Sequence, residues 1–328
     1  MVSAPPKAAV FTALDVEVPD RNALSELFRV MSGAVAGAEV TLAVGASLFD
    51  ERFGLQRLVP RRLTKMPSFP NDALDSARCD GDLLLQVCAA DARSVAEATR
   101  RVLEAGGARL RSKWTIDGFR DENFLTADGR PSTRDLFGFR EGAGNPDVHD
   151  PDLMDQLVWV QANSDEPAWT AGGTYQVVRM IQFAPALWDA EPLTRQEAVI
   201  GRRKTDGSPL GQTGETAAFD YATDQSGQAI ALDAHIRRAN PRTAETERNR
   251  ILRRGYSYRK DARDEGLIFV CFQQDLERGF ATAQRHLNGQ ALDKYILPFG
   301  GGYFFVLPGT GDLPDSYLGK ALLDAARA

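Results

Sequence analysis

The chain has 328 residues, 43% apolar and 26% charged, a composition of globular proteins whose length favours two domains over one core. A net charge of -6 gives no reason to expect nucleic acid or an anionic membrane surface as a partner. Three cysteines (Cys79, Cys88 and Cys271) without CxxC spacing argue against a disulfide framework or zinc site and for a reducing compartment.

The N-terminal MVSAPPKAAVF lacks the charged and apolar regions of an export signal, and no apolar run reaches the ~18 residues of a membrane span, so a cytoplasmic location is expected. Residues 8–18 then alternate as a strand, and Pro19-Asp20 opens a helix over residues 21–35. A second strand is predicted at 40–49, followed by an irregular Pro- and Arg-rich stretch over 55–80. Residues 82–90 form a strand, Asp91 an N-cap, and 92–105 a helix closed by Gly106-Gly107. Another strand is predicted at 114–123, and residues 126–151 read as a loop connecting two domains, 1–150 and 151–328. Beyond it come strands at 156–161 and 173–183, a short helix at 193–200, a strand at 266–273, a helix at 276–288 and a last strand at 303–307.

LLLQVCAADARSVAEATRRVL (83–103) lies over LIFVCFQQDLERGFATAQRHL (267–287) at a constant offset of 184, with Leu83/Leu267, Asp91/Asp275, Arg101/Arg285 and Leu103/Leu287 coinciding. The two segments share a strand-then-helix pattern. The expected fold is therefore α+β: two ferredoxin-like halves with antiparallel sheets and helices on one face, like a dimeric α/β barrel.

Two stretches carry chemistry. The first, ALDAHIRRANPRTAETERNRILRRGYSY (231–258), holds His235, one of three histidines, and seven arginines within nineteen positions after it. A histidine beside many fixed cations suits an anionic, metal-bearing cofactor such as haem, the ring taking the metal and the guanidiniums the carboxylates. A basic helix face with a surface histidine is the plainer alternative. The second, DLFGFREGAGNPD (135–147), sets Gly138, Gly142 and Gly144 around Glu141. Glycines there allow close backbone approach to a flat ligand and leave one carboxylate to carry protons; a turn-rich linker with an exposed Glu is the alternative.

Together these stretches resemble the dye-decolourising (DyP-type) peroxidase family, in its deferrochelatase-like, A-type-like branch. FGFREGAGNP is similar to that family's FGFxDGxxNP segment, and AHIRRANPR with ILRRGYSY to its proximal-histidine and distal-arginine segments. GGTYQVVRMIQF, IGRRKTDGSPLG and GLIFVCFQQDLERGF match further family segments in the same order, over about residues 11–309.

The resemblance implies a peroxidase with a haem b (heme) iron cofactor, which reduces hydrogen peroxide and oxidises a small organic donor, dye- or phenol-like, through a ferryl intermediate. A haem-handling protein that binds haem or releases its iron is the second reading, and a homo-oligomer is possible. His235 would bind the iron through one ring nitrogen, the other donating to a carboxylate for which Asp275 is the candidate; Asp275 serves equally as a helix cap. Arg253 would be the distal arginine, with Arg254 the neighbouring alternative. Gly142, Ala143 and Gly144, with Asn240, Pro241 and Arg242, match segments that contact haem, Arg242 as a propionate partner. The family's distal acid is usually Asp, and here the position is Glu141, whose carboxylate can sit displaced by about 1.5 Å. Tyr256, Tyr258, Trp159 and Trp188 are candidate electron carriers, while His149 and His286 have no role suggested by spacing.

Overall fold

A computed structural model describes residues 4–35, 37–120, 124–125, 131–311 and 315–327. Its frame is eight long strands: β1 (Ala8–Val16), β2 (Glu39–Gly45), β3 (Leu83–Ala89), β4 (Leu110–Phe119), β5 (Thr174–Phe183), β6 (Tyr256–Arg259), β7 (Glu265–Gln273) and β8 (Ile296–Val306). All neighbours pair antiparallel in the order β6-β4-β1-β3-β2-β8-β5-β7, and β6 also pairs with β7, so the sheet closes into a ring. Within each half the first, second, third and fourth strands sit in the order 4-1-3-2, which is the ferredoxin-like arrangement twice over. The internal match is thereby explained: β3 and β7 are the third strands of their halves, each followed by a helical segment.

Closure explains why the strands read as nearly unbroken apolar runs. Alternate residues of β1, β3 and β5 enter two different clusters. Val10, Leu83, Leu85 and Val177 pack with Leu27, Phe28, Val95 and Val102 of α1 (Arg21–Gly33) and α2 (Ala92–Gly106). Phe11, Leu84, Val178, Met180, Ile268 and Phe304 form a second cluster on the opposite face. Among the polar side chains between them, the Gln176 amide donates to Gln86 Oε1 at 2.6 Å. Asp20 and Asp91 cap the two helices as the sequence suggests, accepting from the Ala23 and Ser94 N–H groups.

Some expectations change. Residues 156–161 are not a strand: Asp150 caps α3 (Pro151–Leu157), with Pro151 at its first turn, and irregular chain follows. The second strand ends at Gly45 and gives way to a 3-10 turn, Ala46–Phe49. The last strand begins at Ile296 rather than 303, its start hidden in the sequence by Pro298 and three glycines. A register shift falls between Pro298 and Gly300, and just after it Gly301, at φ 122°, must be glycine because a Cβ would collide with the Val178 carbonyl at 1.9 Å. The segment after β7 is a wide turn, Glu277–Ala281, then α6 (Thr282–Leu287), rather than one regular helix. The end of the strand expected at 114–123, and part of the loop at 126–151, lie outside the described residues. No helix among the described residues is long and apolar enough to cross a membrane.

Candidate active site

The loop carrying Glu141 precedes residue 150 yet is anchored on the second half. Thr133 and Arg134 pair with Glu141 and Arg140 as a short hairpin, and between them Phe137 stacks on Phe183 of β5 at 3.9 Å and on Trp188 at 4.5 Å. Gly142, at φ 102°, turns the chain so that Asn145 N–H reaches the Gly142 carbonyl at 2.8 Å. Asn145 then ties this loop to the short strand Leu252–Arg253, which pairs with β7. Its Nδ2 donates to the Arg253 carbonyl at 2.8 Å, and its Oδ1 accepts from Arg253 N at 3.0 Å and Nε at 3.3 Å.

That clamp sets the distal side. A Cβ at Gly144 would lie 3.1 Å from an Arg253 guanidinium nitrogen, and one at Gly255 would lie 3.8 Å from Glu141 Oε2. The two glycines therefore open the space in which both functional groups sit. The Glu141 carboxylate makes no hydrogen bond or ion pair with another described residue, while its charge reaches Arg253, Arg120 and Asp135. Burial pulls the Arg253 pKa down, and Glu141 opposes that pull. Burial and then Glu141 push the Asp135 carboxyl up to about 7. Arg254, one residue on, faces the other way: it is buried, and its Nη2 lies 3.8 Å from Glu39. Of the two candidate arginines, Arg253 is the one that feels the Glu141 charge, and Arg254 the one paired with Glu39.

His235 opens α5 (His235–Ala239), which packs on Gly201 at the end of α4 (Leu193–Ile200); a Cβ at Gly201 would meet Ile236 at 2.7 Å. The ring is half-buried, with Nδ1 2.7 Å from Gln290 Oε1 and Nε2 without a partner among the described residues. Burial lowers its pKa, the Gln290 bond opposes that, and the Arg253 charge lowers it further, so the surroundings favour the neutral ring.

Asp275 is not the histidine's partner. Its carboxylate accepts from Glu277 N and Arg278 N, both at 3.0 Å, and from Arg62 Nε at 2.8 Å. It caps the segment after β7 as Asp91 caps α2, and the internal match at 91/275 reflects that shared role.

The other arginines divide by function. Arg237 is consumed by structure, donating to Asp224 and to the Ile230 carbonyl. Arg250 donates to the Asn145 carbonyl at 2.9 Å. Asn240 Oδ1 accepts from Arg242 N at 2.9 Å across Pro241, holding Arg242 at φ 57° with its side chain exposed. Arg202 is buried, and burial, Arg253 and Arg242 in that order bring its pKa down to about 10. The charges of Arg253 and Arg242 thus bear on Arg202, while Glu215, which pairs with Arg140 at 3.0 Å, partly offsets them, a field that an anionic ligand would relieve.

These features fit haem. A single histidine with one free nitrogen cannot chelate a metal alone, and no group of three or more His, Cys, Asp or Glu converges among the described residues. A porphyrin supplies the missing nitrogens, and its propionates suit the arginine cluster. Ala143, Gly144, Asn240, Pro241 and Arg242 lie on the loops that carry these groups. Asn145, Asp135, Arg202 and Gln290 were not among the sequence's site candidates. Asn145 lay inside the quoted motif, whereas Gln290, fifty-five residues from His235, carries no local signal. His149 is exposed, and Tyr256, Tyr258 and Trp188 are core residues at 1% exposure each.

Comparison with known proteins agrees. The family models for Dyp-type peroxidase match residues 1–120 with the N-terminal part and 132–311 with the C-terminal part. Proteins named deferrochelatase from Escherichia coli O157:H7 and Shigella flexneri are each 45% identical over 352 residues, spanning 96% of this chain and 83% of theirs. A DyP-type peroxidase from Cellulomonas bogoriensis superposes with a TM-score of 0.88 at 32% identity, over 99% of this chain and 95% of its own. Ferric DtpA from Streptomyces lividans gives 0.88 at 33% identity, over 99% and 94%. Matched in both halves of its sequence and over nearly its whole fold, the chain belongs to the Dyp-type peroxidase family.

Proposed function

We propose that Glu141, Arg253 and His235 carry the peroxide-dependent oxidation that this membership implies. The observation that supports the reading is a carboxylate without a side-chain partner among the described residues, near a clamped guanidinium, with a histidine nitrogen free among the same residues. Haem, when bound, would supply the redox chemistry for peroxide reduction and donor oxidation. His235 Nε2 would hold the iron, and Arg202 and Arg242 the propionates. Glu141 would take the proton from one oxygen of hydrogen peroxide and return it to the other, so that water leaves. Arg253 would stabilise the negative charge that grows on peroxide as its proton moves. Gly142, Ala143 and Gly144 keep side chains out of that space, and Asn145 holds Arg253 against rotation.

A small organic molecule is the donor in this reading. Three cysteines that are all free and buried support a reducing, cytoplasmic compartment. The name of the 45%-identical relatives favours a second reading, release of iron from haem. Peroxide-dependent oxidation of a dye by haem-loaded protein, lost in Glu141→Gln, supports the first. Formation of metal-free porphyrin without peroxide consumption would support the second.

A further inference from the structure

The seam that closes the ring is thin: among the described residues β6 joins β4 through one residue pair, Ser257 opposite Phe119. The cluster that holds Phe11 and Phe304 takes residues from all eight strands and so fills the inside of the ring. Trp114 and Ile116 of β4 belong to it, as do Tyr256 of β6 and Val270 of β7. Side chains alternate along a strand, so Arg120, just past β4, and Arg254, just before β6, face that interior. Their backbones are fixed there. Arg120 N–H donates to the Lys7 carbonyl and Arg254 N–H to the Val270 carbonyl, each at 2.8 Å.

Arg120 is 8% exposed, and its Nε and Nη1 are buried without a hydrogen-bond partner among the described residues. The guanidinium lies 5.6 Å from the centre of the Tyr256 ring, whose hydroxyl donates to Cys88 Sγ at 3.4 Å. Arg254 brings a second buried guanidinium to the same end of the ring, its Nη2 3.8 Å from the exposed Glu39 of β2. Burial pulls the Arg120 pKa down, the Glu141 charge opposes this, and Arg254 adds to the fall. A cation buried with unused donors is costly unless a counter-charge meets it.

We propose that a small monovalent anion binds inside the mouth of the ring against Arg120 Nε and Nη1. It would join Arg120 on the β4 side of the seam to the Arg254 charge on the β6 side. One negative charge suffices, because Arg254 already has Glu39 beside it. The ligand is small, a halide or the carboxylate of a short acid, because the Tyr256 ring and Cys88 wall the space. The site is separate from the peroxide groups. Gly255, between Arg254 and Tyr256, points to the other face of the sheet, where a Cβ would lie 3.8 Å from Glu141 Oε2.

The test follows urea unfolding of the haem-loaded protein at constant ionic strength, with bulky gluconate replaced stepwise by chloride or by acetate. The native midpoint should rise and saturate with at least one of them. The unfolding constant should fall about tenfold once that anion reaches roughly ten times its dissociation constant. The anion that acts at the lower concentration identifies the source, chloride for a halide and acetate for a carboxylate. Arg120→Gln, which removes the buried charge, should gain nothing from either. A native midpoint that is the same in all three salts means that water alone serves Arg120, and overturns the site. An equal gain in Arg120→Gln places the anion elsewhere and overturns it too. Where Arg120→Gln does not fold, Arg120→Lys decides. It keeps the charge but not the guanidinium donors, so affinity for the anion should fall at least tenfold, and native affinity overturns the proposal.

Discussion

Asn145→Ala is the perturbation that asks most of the distal geometry, because Asn145 touches neither the peroxide site nor the proximal ring yet holds Arg253 through three contacts of 2.8, 3.0 and 3.3 Å. Truncation leaves a backbone N–H and a carbonyl of Arg253 without partners. A buried pair would cost on the order of 1–3 kcal/mol per group. The site is half-buried and admits some water, so a total loss of about 2 kcal/mol is expected in urea unfolding. The second consequence is functional. The guanidinium loses its Nε anchor, and a misplacement of about 1 Å costs roughly a hundredfold in rate. The peroxide-driven change of the Soret band, followed by stopped-flow absorbance, should slow about 10–100-fold while haem content stays native. Asn145→Asp keeps the acceptor for Arg253 N and Nε but not the donor to its carbonyl, and should recover much of the rate. Native kinetics in Asn145→Ala, with stability lowered as calculated, would refute the idea that this clamp positions Arg253 for chemistry.

Other outcomes follow from the same geometry. Glu141→Gln keeps the shape and removes the base, so the peroxide step should slow by roughly 10²–10⁴-fold, and Arg253→Leu should cost a further few kcal/mol in that step. If Glu141→Gln reacts at the native rate while Arg253→Leu does not, the carboxylate has no catalytic role. Glu141→Asp should also be slower than native, because the space left by Gly144 and Gly255 accommodates the longer side chain; faster reaction would show that the pocket is not fitted to Glu. Asp135 holds its proton up to about 7 in the folded chain against the model-peptide value of 3.8, so the folded state binds more protons than the unfolded one across that window. Stability from this group is therefore greatest at low pH and is lost as pH rises from about 4 to about 7. Asp135→Asn should be more stable than native above pH 7 by on the order of 1–3 kcal/mol, and an unchanged pH profile in urea unfolding would contradict this assignment.

Much of the frame was legible because local rules and tertiary structure agree. Asp20 and Asp91 announce α1 and α2, and the apolar runs of β1 and β3 declare strands buried on both faces. The 83/267 match found the third strand of each half. A barrel-like arrangement was expected, but the strand that closes it was not, since closure depends on β6 pairing with both β4 and β7. Tyr256–Arg259 lies in a stretch whose arginines drew attention to chemistry and away from its strand. At the site, Glu141, Arg253 and His235 stood out because motif and charge marked them. Gln290 did not, because its role comes from a turn that folds back on α5 from the far end of the second half. Asp275 stood open between histidine partner and helix cap, and the cap holds: its bonds to the Glu277 and Arg278 N–H groups and to Arg62 engage the carboxylate.

The central claim, that His235 Nε2 holds the iron of a haem retained by the arginine cluster, is tested most directly by His235→Ala. The variant is expected to fold, since the half-buried ring makes one side-chain hydrogen bond, to Gln290. It should copurify with little haem and show no iron–histidine stretch in the ferrous state, with partial recovery of haem binding on addition of imidazole. Native haem content together with an unchanged iron–histidine stretch would contradict the account and pass the ligand to another histidine.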